Sequence, residues 1–62
     1  MSKVIYYRFF TLDDSMKALD FIKKEARDYE ERIPGVRTEC ITSIGERDYY
    51  IELFIRHESE DE

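Results

Sequence analysis

Hydrophobic and polar residues alternate along segment 47–56, Arg-Asp-Tyr-Tyr-Ile-Glu-Leu-Phe-Ile-Arg. The segment is rich in aromatic and β-branched residues and contains neither Gly nor Pro, which predicts a β-strand. One face of this strand is wholly apolar: Tyr49, Ile51, Leu53 and Ile55. The other face is half apolar and half charged: Tyr50, Glu52, Phe54 and Arg56. Large apolar groups on both faces are typical of a strand at the centre of a sheet.

A second strand with apolar groups on both faces is predicted over residues 3–10. Its alternation puts three apolar side chains on one face: Ile5, Tyr7 and Phe9. The other face carries a mixed set: Val4, Tyr6, Arg8 and Phe10. This strand therefore also needs cover on its apolar face.

An amphipathic helix is predicted after this strand. Thr11 suits the N-cap position, and the two following aspartates favour the positive end of a helix. Apolar residues then recur at steps of three and four: Leu19, Ile22, Ala26, Tyr29 and Ile33. Pro34 and Gly35 predict the helix end. The outer face pairs opposite charges at i,i+4: Asp13 with Lys17, Asp20 with Lys24, and Arg27 with Glu31.

Residues 36–44 predict a more polar strand, which forms a hairpin with segment 47–56. The intervening Gly45-Glu46 is typical of a two-residue type II′ turn, which pairs Ile44 with Arg47. That register sets four further pairs on the core face: Thr42 with Tyr49, Cys40 with Ile51, Thr38 with Leu53, and Val36 with Ile55. The turn and the hydrophobic pattern thus agree on which face is the core.

The order strand, helix, strand, strand predicts one α+β domain of βαββ type over residues 1–56. A right-handed crossover makes the first two strands parallel, and the central strand 47–56 gives the sheet order 1-3-2. The helix packs on one face, as in half of a ferredoxin-like fold. The remaining segment, 57–62, contains four acidic residues and no Lys or Arg, so we expect a disordered acidic tail.

Composition narrows the class of protein further. The net charge of −5 over 62 residues comes mostly from the tail, which leaves eleven acidic and ten basic residues in the body. A domain this small buries only about 60% of its unfolded surface, so we expect a second copy or a partner to reinforce it. One cysteine, no signal-peptide pattern and no apolar run of about 20 residues predict a cytoplasmic protein without a membrane segment.

The sheet face without a helix is the candidate functional surface. It combines aromatic side chains with arginines: Tyr6, Arg8, Phe10, Tyr50, Glu52, Phe54, Arg56 and Arg37. Contiguous exposed apolar patches mark interaction sites, and Tyr and Arg are enriched in binding hot spots. The sequence therefore predicts a protein-binding face, used either by a homodimer or by another protein. A buried Glu52 would need a partner there, and Arg8 and Arg56 are the candidates.

Single-stranded RNA or DNA is an alternative partner for this surface. Bases could stack on the aromatic side chains while Arg8, Arg37 and Arg56 follow the phosphates. Against this function, Glu39 and Glu52 share the face and the body has no net positive charge. Nucleic acid is therefore the second choice after protein.

Catalysis is the third alternative. A small ribonuclease-like enzyme could use Glu52 with Tyr50 and Arg8, but no spacing singles these residues out. We expect His57 to be a solvated residue at the strand end and Cys40 to be a small core residue. The sequence shows no phosphate-binding loop and no metal-ligand spacing. We therefore expect a non-enzymatic protein without cofactor or metal.

The format of the chain, one compact domain with a charged tail and an apolar face, resembles that of small proteins encoded by phages and mobile elements. Such proteins include inhibitors of host nucleic-acid-handling enzymes, such as CRISPR effectors and RNA polymerase. The resemblance is one of size and shape, and it implies an inhibitor that occupies a surface of another protein.

Overall fold

The computed structural model describes residues 2–58. Its elements in chain order are β1 (Ser2–Phe9), α1 (Leu12–Arg32), β2 (Val36–Ile44) and β3 (Tyr49–His57). The three strands form one sheet in the order β1-β3-β2, and β3 is antiparallel to both neighbours. The predicted βαββ topology and the central place of β3 are confirmed. β1 and β2 are parallel, as expected, and they have no hydrogen-bonded ladder with each other.

α1 begins and ends where its capping residues predict. The Thr11 hydroxyl accepts a hydrogen bond from the Asp14 backbone N–H at 3.1 Å, which satisfies one unpaired donor of the first turn. The helix ends before Ile33, whose backbone is extended and precedes Pro34. Gly35 then takes a φ of +86°, a left-handed conformation that costs glycine little.

Only part of the predicted charge pairing on α1 forms. Asp13 and Lys17 pair at 3.3 Å as expected, and the last turn adds a pair between Asp28 and Arg32 at 3.4 Å. The pairs predicted between positions 20 and 24 and between 27 and 31 are not formed within the described residues. Exposed pairs contribute only a few tenths of a kcal/mol, which often does not repay the ordering of two long side chains.

The predicted two-residue turn between β2 and β3 is wrong. Ile44 pairs with Tyr49 rather than Arg47, so the connection is a four-residue loop, 45–48. The loop is closed by a hydrogen bond from the Gly45 N–H to the Asp48 carbonyl at 2.8 Å. A type II′ turn needs a positive φ at its first central residue, and Gly45 does not have one.

The predicted register of the hairpin is consequently wrong by two residues. Cys40 lies opposite Leu53 instead of Ile51, and Val36 lies opposite His57 instead of Ile55. Since side chains alternate with a period of two, a shift of two leaves every residue on its predicted face. The assignment of faces is therefore correct although the pairing is not.

Strand boundaries differ slightly from those predicted. β1 leaves Phe10 outside, and β3 begins at Tyr49 but extends through His57. The Glu58 N–H then donates to the Gly35 carbonyl at 2.7 Å. The acidic tail predicted from residue 57 thus begins no earlier than residue 59, and residues 59–62 lie outside the described part of the chain.

The core lies between α1 and the inner face of the sheet. Its most buried side chains are Ile51 and Leu53 of β3, each 1% exposed, with Ile22 and Ala26 of α1 against them. Half-buried side chains surround this centre: Ile5, Tyr7, Phe9, Ala18, Leu19, Cys40 and Ile55. α1 covers this face alone, so the opposite face of the sheet has no cover within residues 2–58.

Candidate functional site

The outer sheet face, the side turned away from α1, brings all the predicted site residues together. Strand pairing arranges them in rows that cross the sheet from β1 through β3 to β2. The rows are Ser2-Arg56-Arg37, Val4-Phe54-Glu39, Tyr6-Glu52-Ile41 and Arg8-Tyr50-Ser43. Phe10 follows β1 directly, lies one row beyond Arg8 and contacts Arg8 through a cation–π interaction.

Exposure is uneven across this face. Tyr6 and Phe10, which extend from the edge strand β1, are each 69% exposed. Tyr50, Glu52 and Phe54 lie on the central strand and are half-buried by the side chains on either side of them. The aromatic groups most available to a partner therefore lie on the β1 side.

A three-residue cluster occupies the end of the face near the β2–β3 loop. One carboxylate oxygen of Asp48, Oδ2, accepts from Arg8 Nε at 2.9 Å and lies 2.7 Å from Arg8 Nη2. The same oxygen accepts a hydrogen bond from the Tyr50 hydroxyl at 2.8 Å. Asp48 is only 8% exposed, so this ion pair is largely shielded on the carboxylate side. The cluster joins β1 to β3 through side chains.

The contacts of this cluster fix its charge states. The hydrogen bond from Tyr50, followed by the contacts with Arg8, lowers the pKa of Asp48. The hydrogen bond to Asp48 raises the pKa of Tyr50, and the pKa of Arg8 is raised for the same reason. At neutral pH Asp48 is thus an anion, Arg8 a cation and Tyr50 neutral. A carboxylate with a lowered pKa is a weak base, so the arrangement serves to hold Arg8.

Arg8 is oriented from two directions. Asp48 binds Nε and Nη2, and the guanidinium carbon lies 5.1 Å from the centre of the Phe10 ring, within range of a cation–π contact. The Arg8 side chain is nevertheless 59% exposed, so part of the guanidinium remains open to a bound molecule. The free side of a fixed guanidinium is suited to a carboxylate or carbonyl group of a bound molecule.

Gly45 permits the close approach of the loop to this cluster. A Cβ at this position would overlap the carboxylate of Asp48 and would lie 3.0 Å from Cε2 of the Tyr50 ring. From the sequence, Gly45 is explained by the backbone conformation of a tight turn. The structure gives a different reason, because no Cβ fits at this position beside Asp48. Any larger residue must displace the carboxylate that holds Arg8.

In the single chain Arg8 pairs with Asp48 rather than Glu52, and a contact of Glu52 with Arg8 or Arg56 in a buried face stays a prediction. Glu52 lies one row to one side of Arg8 and Asp48 lies one row to the other side, and Arg8 binds Asp48. Asp48 belongs to this cluster but is not among the site residues predicted from the sequence. Alternation could have found it, because it precedes Tyr50 by two positions and so shares its face.

The other end of the outer face is basic. Arg37 and Arg56 lie directly opposite each other on neighbouring strands, and like charges in that relation repel. Glu58 offsets this repulsion through a contact with Arg37 Nε at 3.4 Å. An open groove of about 740 Å³ at this end is lined partly by Val4 and Phe54.

The two remaining candidates from the sequence, Cys40 and His57, have different outcomes. Cys40 is half-buried against the core, as predicted, and burial raises the pKa of its thiol. His57 is half-buried rather than solvated, because β3 continues through it and its ring lies beside Gly35. Neither residue is part of the Asp48 cluster.

Comparison with known proteins adds no family. The sequence matches no protein-family model, and the chain is significantly similar to no curated protein and to no solved structure. Within residues 2–58, His, Cys, Asp and Glu side chains form no group of three or more that could hold a metal ion. In the same residues, no helix combines the length and apolarity required to cross a membrane.

Proposed function

We propose that this chain is a non-enzymatic interaction module that binds another protein through its outer sheet face. The observation that carries the proposal is Arg8, which Asp48 and Tyr50 hold in place between two exposed aromatic rings, Tyr6 and Phe10. Arginine and aromatic residues side by side are the usual composition of a binding hot spot.

Pre-orientation explains why such an arrangement favours binding. A long side chain that becomes immobile on binding costs about 0.5–1.5 kcal/mol of ordering free energy. Arg8 already has two of its nitrogens bound and its plane stacked on Phe10, so most of this cost is met before a partner arrives. The rings beside it offer apolar area with few rotatable bonds.

The chemistry of the face defines the partner. An acidic or carbonyl group would meet Arg8, and apolar side chains would cover Tyr6 and Phe10. From the format of the chain, we propose a host nucleic-acid-handling enzyme in the cytoplasm, such as a CRISPR effector or RNA polymerase, as the protein that is inhibited. Small size and an exposed apolar face support this choice of partner class.

The test compares substitutions at two exposed positions on opposite sides of the molecule. Phe10→Asp places a charge on the outer face, and Met16→Asp places one on α1, where the side chain is 62% exposed. Purified candidate enzymes are titrated against each variant by isothermal calorimetry. We expect Phe10→Asp to lose binding and Met16→Asp to retain it. The opposite pattern, or equal loss in both variants, would contradict the proposal.

Arg8→Lys refines the same test. It keeps the positive charge but removes the planar fork that binds Asp48 and stacks on Phe10. We expect binding at least about tenfold weaker than that of the unmodified chain, which corresponds to about 1.4 kcal/mol. Unchanged affinity would mean that charge alone matters and that the orientation of Arg8 does not.

A labelled single-stranded RNA provides the competing outcome. The aromatic side chains with Arg8 could stack bases, although Glu39 and Glu52 lie on the same face. Fluorescence anisotropy that shows salt-sensitive binding, lost in Phe10→Asp and kept in Met16→Asp, would favour nucleic acid over protein. We expect no such binding.

A further inference from the structure

The free edge of β1 is unprotected. The Gly45 N–H donates to the Asp48 carbonyl, so these two residues form a hydrogen-bonded pair at the start of the ladder between β2 and β3. Such pairs alternate with non-bonded pairs along an antiparallel ladder. The even-numbered residues of β3 therefore direct their backbone N–H and C=O groups to β2, and the odd-numbered residues direct theirs to β1. β1 therefore uses its odd-numbered residues for β3, and Val4, Tyr6 and Arg8 direct their backbone N–H and C=O groups away from the sheet. Within residues 2–58, no other group hydrogen-bonds to these outward backbone atoms.

The free edge of β2 differs, because α1 and the loop after it protect part of it. The Glu30 carboxylate accepts from the outward N–H of Thr38 at 2.8 Å and from the Thr38 hydroxyl at 2.7 Å. The N–H of Val36 donates to the Ile33 carbonyl at 3.3 Å. Covering an edge in this way prevents pairing with another chain. β1 has no equivalent cover in the described part of the chain.

Apolar side chains flank the β1 edge on the helix side. Ile5, Tyr7 and Phe9 pack on the core but stay half-buried. Burial raises the pKa of Tyr7, and the negative charge of Glu25 on α1 adds to this effect. Phe21 precedes Glu25 by one helical turn and is 62% exposed. Water thus reaches apolar surface above the edge whose backbone groups are unpaired.

We propose that two copies of this chain pair through β1 in antiparallel orientation about a two-fold axis at Tyr6. This register places Tyr6 opposite Tyr6 of the second copy and Val4 opposite the second copy's Arg8. The outward groups of these residues are then hydrogen-bonded in three pairs, each of which exchanges two bonds. An isologous contact of this kind closes on itself and gives a dimer rather than a fibre.

The charges of β1 favour this register over its neighbours. Arg8 meets Val4, and Lys3 meets the second copy's Phe9, so no two like charges face each other. Ile5 lies opposite Tyr7 on the helix side, which extends the two cores toward each other. Moving the axis to Arg8 would place two guanidinium groups opposite each other and would shorten the overlap.

The dimer would contain one continuous six-stranded sheet with both outer faces on the same side. The exposed rings of Tyr6 and Phe10 from both copies would lie near the centre of that surface. This differs from a dimer in which the outer faces pack together, because the face proposed to bind a partner stays open. The pairing concerns the chain alone, so its test is independent of the proposed function.

Proline substitutions at matched edge positions provide the test. In Val4→Pro the lost N–H is an outward one, so the ladder between β1 and β3 keeps its hydrogen bonds. Thr42→Pro removes the corresponding outward N–H on the β2 edge. Sedimentation velocity over a dilution series measures the dimer dissociation constant of each chain, and far-UV circular dichroism checks the fold. We expect Val4→Pro to raise the dissociation constant at least about tenfold and Thr42→Pro to leave it within about twofold.

A disulfide at the axis provides a second measurement that does not depend on proline. Opposed residues that exchange hydrogen bonds have Cα atoms about 5.5 Å apart, within the range of a disulfide. In a Cys40→Ser background, Tyr6→Cys should therefore form a covalent dimer under mild oxidation. Thr42→Cys in the same background should remain monomeric on a non-reducing gel.

Three results would overturn the inference. The unmodified chain could remain monomeric at every concentration. A dimer could survive Val4→Pro and dissociate in Phe54→Asp, which would mean that the outer faces pack together. A dimer could instead dissociate in Thr42→Pro and cross-link through Thr42→Cys, which would assign the contact to the β2 edge. None of these results measures binding to a foreign protein, so the proposed function would still have its own test.

Discussion

Replacing Gly45 with alanine should destabilise the protein through the Asp48 cluster. The added Cβ overlaps the Asp48 carboxylate and lies 3.0 Å from the Tyr50 ring. The carboxylate cannot simply turn aside, because Arg8 and Tyr50 both bind its Oδ2. Overpacking of this kind costs about 1–3 kcal/mol. Since φ at Gly45 is not positive, alanine also gains about 0.4–1 kcal/mol by restricting the unfolded chain.

The net effect is a loss of about 1 kcal/mol or somewhat more, because the cost of overlap exceeds the gain in the unfolded state. In a domain of this size, 1 kcal/mol lowers Tm by about 4–8 °C. Thermal unfolding followed by far-UV circular dichroism measures the shift. Gly35→Ala is the matched control, since its Cβ would make only ordinary van der Waals contact with the His57 ring but its φ of +86° is unfavourable for alanine.

A double-mutant cycle separates the two causes. If overlap with the carboxylate is the cause, Gly45→Ala should cost much less in an Asp48→Ala background. Gly35→Ala should cost the same in both backgrounds, because its strain lies in the backbone. An equal cost of Gly45→Ala with and without the Asp48 carboxylate would refute the reasoning.

Two further predictions concern pH and the core. The pKa of Asp48 is lowered from 3.8, so its stabilising contribution is present above that value and is lost as the pH falls through the folded-state pKa. In Asp48→Asn, Tm should therefore fall less steeply as the pH is lowered below about 4 than it does in the unmodified chain. An equally steep fall in both chains would contradict the stabilising role of the Asp48 carboxylate. Leu53→Ala should cost about 2–5 kcal/mol and leave little folded protein. Ile44→Ala, at a side chain 78% exposed, should stay within about 0.5 kcal/mol, and equal urea midpoints for the two variants would contradict the assigned core.

The sheet order could be predicted from the sequence because the side chains of β3 require a central position in the sheet. Its large side chains, among them Tyr49 and Phe54, lie on both faces, and only a central strand has neighbours on both sides to shelter them. The helix was predictable for a different reason. Its apolar residues recur with helical spacing, and Thr11 and Pro34 mark its two ends.

The loop between β2 and β3 was not predictable from local patterns. Gly followed by a polar residue is common in two-residue hairpin turns, but the same residues fit a four-residue loop equally well. The choice depends on contacts between residues distant in sequence. Asp48 leaves the strand and becomes the acceptor for Arg8, which lies 40 positions earlier in the chain. No local signal at Gly45 reports that contact.

The candidate surface was predictable as a face but not in its internal order. Alternation placed Arg8 and Tyr50 on the same side, and the structure agrees. Which acid pairs with Arg8 was not predictable from alternation or from strand pairing, because Asp48 and Glu52 each lie two positions from Tyr50, the residue opposite Arg8. Only the observed side-chain contacts identify Asp48 as the partner.

The central position of β3 also determines the order in which the sheet can form. β1 and β2 are both synthesised before β3, yet within residues 2–58 each forms a strand ladder only with β3. On the ribosome, α1 can form from local contacts, but neither earlier strand has a ladder to join until residues 49–57 emerge. The hairpin of β2 and β3 should then form first, and docking of β1, which pairs Phe9 with Tyr49 40 positions later in the chain, should limit the folding rate. A nascent chain stalled before β3 would leave both earlier strands unpaired and would expose the apolar side chains of β1 to chaperones.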